Sequence, residues 1–412
     1  MKRDIDNLMD ARNLDAMMVS GKVIGNPPLI YMLNGAQLTK ALLIKKPGEK
    51  AHLIVSPMER EEAIISGYDI ILNTQYDYQE CLKITKGDPL TATVHYYQRI
   101  FDDLDIRGRV GVYGHLDQGY AYKLLHTLDI SLSDVEFVGE IGINLITEAR
   151  ATKDAAEIER IRDVGKRTVE IVDQTLNYLQ THLADCDQIL RKRDGSILTV
   201  GDMHTYITQL IGQQGLEDPE GFIFATGAES GIPHSRGSKS KPMKLGQTIV
   251  FDIFPREVGG GYFFDFTRTF CLGYAPIVVE NIYQDVLGCL QHIQSIIQSG
   301  HPAKAYQKAA CTYFQNKGYP TIDKTPHTWE GYVHGLGHGV GLDIHESPGF
   351  EDTLANTLHL APGHLFTLEP GLYYPEQGVG CRLEDVMWIS ENGQIINLTQ
   401  YPYQLVVPID SV

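Results

Sequence analysis

Hydrophobic and polar positions follow two different periods along the chain, and the change falls between Ile146 and Lys153. Before it, short apolar runs are bounded by turn residues. Residues 16–20 read as a strand, residues 41–46 and 51–56 flank Pro47-Gly48-Glu49 as the arms of a hairpin, and residues 68–72 and 109–113 are further strands. Residues 58–66 and 117–128 read as helices, so residues 1–150 are expected to form a mixed α/β domain.

Beyond that point the period lengthens. Asp154 and Glu157 have the spacing of a helix N-cap and its reciprocal partner, and Val169, Val172, Leu176 and Leu179 recur at intervals of three and four. This predicts a long amphipathic helix, followed by a second over residues 199–215 that stops at Gly215. Ile282, Val286, Cys289, Ile293 and Ile297 mark a third, and residues 302–317 a fourth that stops at Gly318. Strand-like segments follow each pair, which predicts an α+β protein whose second domain, residues 151–412, has two related halves.

Composition narrows the function. With 52 acidic against 35 basic residues the net charge is -17, which disfavours nucleic acid and anionic membranes as partners. No stretch approaches the ~20 apolar residues of a membrane span, and Asp4, Asp6, Asp10 and Arg12 interrupt any secretory core near the start. The six cysteines are scattered without a Cys-x-x-Cys pair, as expected of free thiols in a reducing cytoplasm.

The chemistry concentrates in the second domain. From Val333 to His345 the chain places His334, His338 and His345 among glycines. Gly335, Gly337, Gly339 and Gly341 would each weaken a helix by ~1 kcal/mol relative to alanine, so an extended segment is expected. It would set His334 and His338 on one face and let another backbone approach at the glycines. Asp252 lies inside the apolar run 248–254, where a carboxylate requires a cation or hydrogen-bond donors, and Arg256 or Arg268 could supply a plain salt bridge. A hairpin through Gly259-Gly260-Gly261 would bring Asp265 beside it. Glu369 follows another apolar run and precedes Pro370, and Arg382 and Glu384 share a face. Four carboxylates and a histidine suit Mn²⁺, Co²⁺, Fe²⁺ or Zn²⁺, and two such ions ~3.5–4 Å apart can share a nucleophilic water.

These motifs resemble the pita-bread metallopeptidases, specifically the branch of Xaa-Pro aminopeptidases and Xaa-Pro dipeptidases (prolidases). The resemblance rests on Asp265-Phe-Thr-Arg-Thr, His334-Gly-Leu-Gly-His338, Asp343-Ile-His345-Glu, Glu369-Pro-Gly-Leu-Tyr and Arg382-Leu-Glu384-Asp385. It implies a creatinase-type amino-terminal domain, a pita-bread catalytic domain with pseudo-twofold halves, and homodimers. It further implies that Asp252, Asp265, His338, Glu369 and Glu384 hold two divalent ions, with Mn²⁺ the expected metal, and that Glu369 takes a proton from the bridging water. His334 and His345 would contact substrate and steady the tetrahedral intermediate, His234 in Pro233-His234-Ser235 would lie near the leaving group, and Arg382 would sit at the substrate site and orient Glu384 or a neighbouring acid. The implied substrates are proline-containing dipeptides or short peptides. The stretch between Asp252 and Asp265 is longer than the commonest family pattern, and Phe254-Pro255 follows Asp252 nearby where a glycine often stands. A metal-free creatinase-like hydrolase and a non-enzymatic pita-bread module are the alternatives.

Overall fold

The computed structural model describes residues 4–410, which fall into two compact units divided between Arg150 and Ala151. In the first, six strands form one sheet in the order Asp69–Leu72, His52–Val55, Lys40–Lys45, Ala16–Lys22, Gly108–Tyr113, Val135–Val138. Lys40–Lys45 is antiparallel to both of its neighbours and every other pairing is parallel, so five strands end on the same edge. Met18, Leu42, Ile44, Ile54 and Val110 face helices Pro89–Asp103 and Gln118–Ser131, which contribute Ile100, Phe101, Leu124 and Leu128 to the core.

Two elements of this unit differ from expectation. Residues 58–66 form three short pieces, Pro57–Glu59, Arg60–Ala63 and Ile64–Ser66, rather than one helix. Met58, Ile64 and Ile65 stay exposed, so no apolar stripe draws the segment into a continuous helix. Helix Pro89–Asp103 was not anticipated. Its start signal is nonetheless present: Asp88 caps it by accepting from the Thr91 amide at 2.9 Å, and Pro89 occupies the first turn.

The second unit opens with helix Ala155–Gln180. Its capping box is formed as the spacing predicts, with Asp154 accepting from Glu157 N at 3.0 Å and Glu157 accepting from Asp154 N at 2.8 Å. The buried stripe runs through Ile161, Thr168, Ile171, Val172, Thr175 and Leu179, while Val169 and Leu176 flank it. Thr168 and Thr175 can lie inward because their hydroxyls bond back to the carbonyls of Val164 and Ile171 at 2.8 and 2.7 Å. Helix Val200–Gln213 follows, and the second pair is Ile277–Ile296 and Lys304–Asn316.

The first pair is followed by Ile223–Thr226, Thr248–Ile253 and Phe266–Leu272, which form a sheet with Val406–Val407. After the second pair come Leu365–Leu368, Gly371–Tyr374, Val379–Arg382 and Asp385–Ile389. The halves meet where the Glu384 amide donates to the Thr267 carbonyl at 3.0 Å. That junction sets the carboxylates of both halves around one cavity.

Candidate metal centre

Thr248–Ile253 pairs antiparallel with Phe266–Leu272, with Asp252 opposite Thr267, so Asp265 stands one residue before the partner strand and beside Asp252. Glu369 sits just past Leu365–Leu368 and Glu384 just before Asp385–Ile389, which are paired antiparallel. The fifth side chain comes from the glycine-rich segment. The segment is not helical, as expected, but it is an irregular run with bends rather than a strand, and it lies along Leu365–Leu368, with Thr367 N donating to His338 O at 2.7 Å and Glu369 N to Leu336 O at 2.8 Å. A Cβ on Gly337 would stand 2.1 Å from the Thr367 carbonyl oxygen, and one on Gly339 2.2 Å from that of Ser347. Those glycines are what permit the approach.

A cavity of about 450 Å³ collects Asp252, Asp265, Glu369 and Glu384 with His334 and His338, and His234, His345 and Arg382 line it too. Asp265, His338 and Glu384 offer ligand atoms within 4.8 Å of one another, a set able to hold a metal ion. His338 Nδ1 faces the Gly339 carbonyl at 3.1 Å, which assigns the ring proton to Nδ1 and leaves a lone pair on Nε2. That nitrogen lies 3.5 Å from Asp265 Oδ2 and 3.5 Å from Glu369 Oε1. Burial, then His345, lowers the His338 pKa to about 3, so the ring is neutral at physiological pH.

The carboxylates are short of partners. Asp252 Oδ1, Asp265 Oδ1 and Glu384 Oε1 are buried with no hydrogen bond among the described residues. Burial raises Asp265 well above the carboxylate range, helped by Glu384, Asp252 and Glu369, and burial with Glu384 raises Glu369 likewise. Burial, then Asp252, lifts Glu384 to about 7. A lone pair and orphaned carboxylate oxygens converging in one buried space leave a deficit of positive charge, and the donor set fits divalent cations.

Arg382 supplies part of the balance. Its Nη2 donates to Asp252 Oδ2 at 2.5 Å and its Nη1 to Tyr373 Oη at 2.7 Å. Arg256 instead pairs with Glu217 at 2.7 Å and Arg268 with Asp385 at 2.8 Å, so neither suggested partner reaches Asp252. The acid that Arg382 engages is Asp252, and Thr267 Oγ1 holds Glu384 at 2.7 Å.

The histidines differ in their freedom. His334 Nδ1 faces the Gly335 carbonyl at 2.7 Å and Nε2 the Tyr373 hydroxyl at 2.8 Å, so both ring nitrogens are engaged. Burial, then Arg382, lowers its pKa to about 3. His345 is exposed and stacks edge-on to His338 at 4.2 Å between ring centroids, and His234 is exposed at the same cavity. Tyr373 and Thr267 were missed from sequence. Each lies within the motifs already singled out, but neither carries a charge to mark it.

Comparison with known proteins agrees with this geometry. The chain is 26% identical over 349 residues to an uncharacterised peptidase, YqhT, of Bacillus subtilis (strain 168), covering 84% of this chain and 89% of that protein. It is 26% identical over 401 residues to the Xaa-Pro dipeptidase of Pyrococcus furiosus, covering 95% of this chain and 97% of that one. The solved structure of a Xaa-Pro dipeptidase from Bacillus anthracis shares the fold, with a TM-score of 0.75 at 21% identity over 98% of both chains. A family model matches residues 159–391, more than half the chain and the stretch carrying every side chain of the cluster, and the chain belongs to Metallopeptidase family M24.

Proposed function

We propose that the protein is a dimetal exopeptidase that hydrolyses the peptide bond preceding proline in dipeptides or short peptides. The observation that carries the metal reading is the neutral His338 Nε2, 3.5 Å from both Asp265 and Glu369, in a cavity whose Asp252, Asp265 and Glu384 each have a buried carboxylate oxygen without a hydrogen bond among the described residues. A metal-free creatinase-like hydrolase or a non-enzymatic module has no use for that arrangement, which costs stability unless a cation fills it. Preference for proline is supported by the Pyrococcus furiosus relative, a Xaa-Pro dipeptidase.

In this reading Asp252, Asp265, His338, Glu369 and Glu384 hold two divalent ions, with Mn²⁺ expected from an oxygen-rich set without thiolate and Co²⁺, Fe²⁺ or Zn²⁺ as competitors. Bound there, the ions would polarise the scissile carbonyl and lower the pKa of a water. Glu369, beside His338 Nε2 at 3.5 Å, accepts the proton of the attacking water and returns it to the departing prolyl nitrogen. His345, whose ring reaches the cavity without a side-chain hydrogen bond among the described residues, donates to the carbonyl oxygen as charge develops there. His234 meets the prolyl side. His334 acts through Tyr373, which it holds against Arg382, and Arg382 fixes the rotamer of Asp252. A cytoplasmic homodimer completes the reading, supported by the free cysteines and the family resemblance.

The test is hydrolysis of Gly-Pro beside a Gly-Pro-Xaa-Xaa peptide, after chelation and after adding Mn²⁺ or Co²⁺. Activity that disappears and returns with metal is expected, and the favoured length separates dipeptidase from aminopeptidase. Failure to cut either peptide with any of these metals overturns the Xaa-Pro assignment.

A further inference from the structure

The first unit contains a cavity of about 660 Å³, within the ~300–1,000 Å³ range of small-molecule sites. Its place in the sheet is informative. Ser20 and Gly21 close the Ala16–Lys22 strand, Val55 closes His52–Val55, and Asn73 follows Asp69–Leu72, and all four line the cavity. Leu116, just beyond Gly108–Tyr113, lies on its far wall. The cavity is therefore outside the carboxyl ends of the parallel strands. It includes the position where strand order reverses, since successive strands lie to one side of Ala16–Lys22 and Gly108–Tyr113 and Val135–Val138 to the other. In open α/β sheets that crevice is where ligands bind, because the connections diverge there and leave space between them.

The lining gives the ligand class. Tyr78, Tyr96, Tyr97 and Tyr120 face the space, with Tyr96 edge-on to Tyr78 and Tyr97 at 5.9 and 6.1 Å between centroids. These rings make an apolar wall that is already packed. Both signs of charge are also present. Lys40 lines the cavity and forms no ion pair among the described residues, while Glu59 holds the preceding residue through Thr39 N at 2.5 Å and Thr39 Oγ1 at 2.9 Å. Asp77 lines the cavity as well; its Oδ1 caps helix Tyr78–Ile84 by accepting from the Glu80 amide at 3.1 Å, and its Oδ2 makes no hydrogen bond among the described residues. A cation, an anion and an aromatic wall in one crevice match a zwitterion with an apolar body.

We propose that this crevice is a second binding site, separate from the metal centre, which takes a zwitterionic amino acid or dipeptide with an apolar side chain. Its carboxylate meets Lys40, its ammonium meets Asp77, and its side chain lies on the tyrosines. None of these groups belongs to the metal centre, so the site stands or falls apart from the peptidase reading.

The experiment is calorimetric titration of the full-length, chelator-treated protein with L-leucine, L-proline and leucyl-leucine, and with N-acetyl-leucinamide, which has neither charge. Saturable one-site binding of at least one zwitterion is expected, with no binding of the blocked amide. Lys40→Ala and Tyr120→Ala, both at exposed positions, should weaken it about tenfold or more, and His338→Ala should leave it unchanged. Thermal unfolding of each variant checks that it is folded. The proposal is overturned if no zwitterion binds at millimolar concentration, if the blocked amide binds equally well, or if His338→Ala removes binding that Lys40→Ala preserves.

Discussion

Arg382 and Asp252 form a buried ion pair at 2.5 Å, the guanidinium coming from the second half of the metal-centre unit and the carboxylate from the first. Both side chains are at most one-tenth exposed. The pair therefore fixes one wall of the metal centre before any ion arrives.

Removing Arg382 frees Asp252 to turn and leaves its charge uncompensated. Arg382→Ala should lower metal affinity or kcat by about 10–100-fold, and Arg382→Lys should not restore it, because an ammonium cannot serve Asp252, Tyr373 and the Pro233 carbonyl in the same fork. Metal titration beside steady-state kinetics distinguishes the two effects.

A second ion pair supports the centre from behind. Arg268 and Asp385 are fully buried at 2.8 Å, and Arg268 also donates to the Glu384 carbonyl at 2.8 Å. Asp385 is satisfied further by Gln294 at 2.9 Å and Asn397 at 2.7 Å. Arg268→Ala should destabilise the protein by about 3–5 kcal/mol in urea unfolding, since one buried charge loses its partner. A loss below about 1 kcal/mol would mean that water replaces the guanidinium.

Gly337 tests the close approach of the histidine segment. Gly337→Ala places a methyl group against the Thr367 carbonyl, so His338 must shift from Leu365–Leu368. A cost of about 1–3 kcal/mol is expected, with weaker metal binding. Unchanged affinity would show that His338 can move without consequence.

The raised carboxylates predict a pH dependence of the chelated protein. Histidines such as His334 and His338, held neutral in the fold but titrating near 6.5 in the unfolded chain, make stability rise with pH over the same range, so the carboxylate contribution is read as a difference between wild type and Glu384→Gln. Glu384, lifted from 4.5 to about 7, with Asp265 and Glu369 also raised, then holds protons that the unfolded chain has released. Relative to Glu384→Gln, in which the histidine contribution is the same, wild-type stability should accordingly fall as pH rises from about 6.5 to about 7.5, by roughly 0.5–1 kcal/mol. Urea unfolding at the two pH values, with and without Mn²⁺, checks it; bound metal should abolish the decline.

Much of the centre was legible because it violates local expectation. Asp252 in an apolar strand and histidines among glycines are costly unless something compensates them, and sequence alone exposes that cost. The partner of Asp252 was not legible. It is set by the packing of Val379–Arg382 against the first-half sheet, which brings Arg382 close while Arg256 and Arg268 point to other acids. The engagement of His334 with Tyr373 was hidden for the same reason, since Tyr373 reads as one more apolar residue of a strand. In the first unit the hairpin around Pro47-Gly48-Glu49 followed from turn chemistry. The cavity at the strand ends depends on strand order, which periodicity does not reveal.

The central claim is that the four carboxylates and His338 surround two divalent ions. Anomalous diffraction from crystals grown with Mn²⁺ tests it most directly. Two peaks are predicted in the cavity, each bounded by oxygens of Asp252, Asp265, Glu369 or Glu384, with Nε2 of His338 on one of them. No peak at saturating Mn²⁺, Co²⁺ or Zn²⁺, or peaks only at surface carboxylates, would contradict the account.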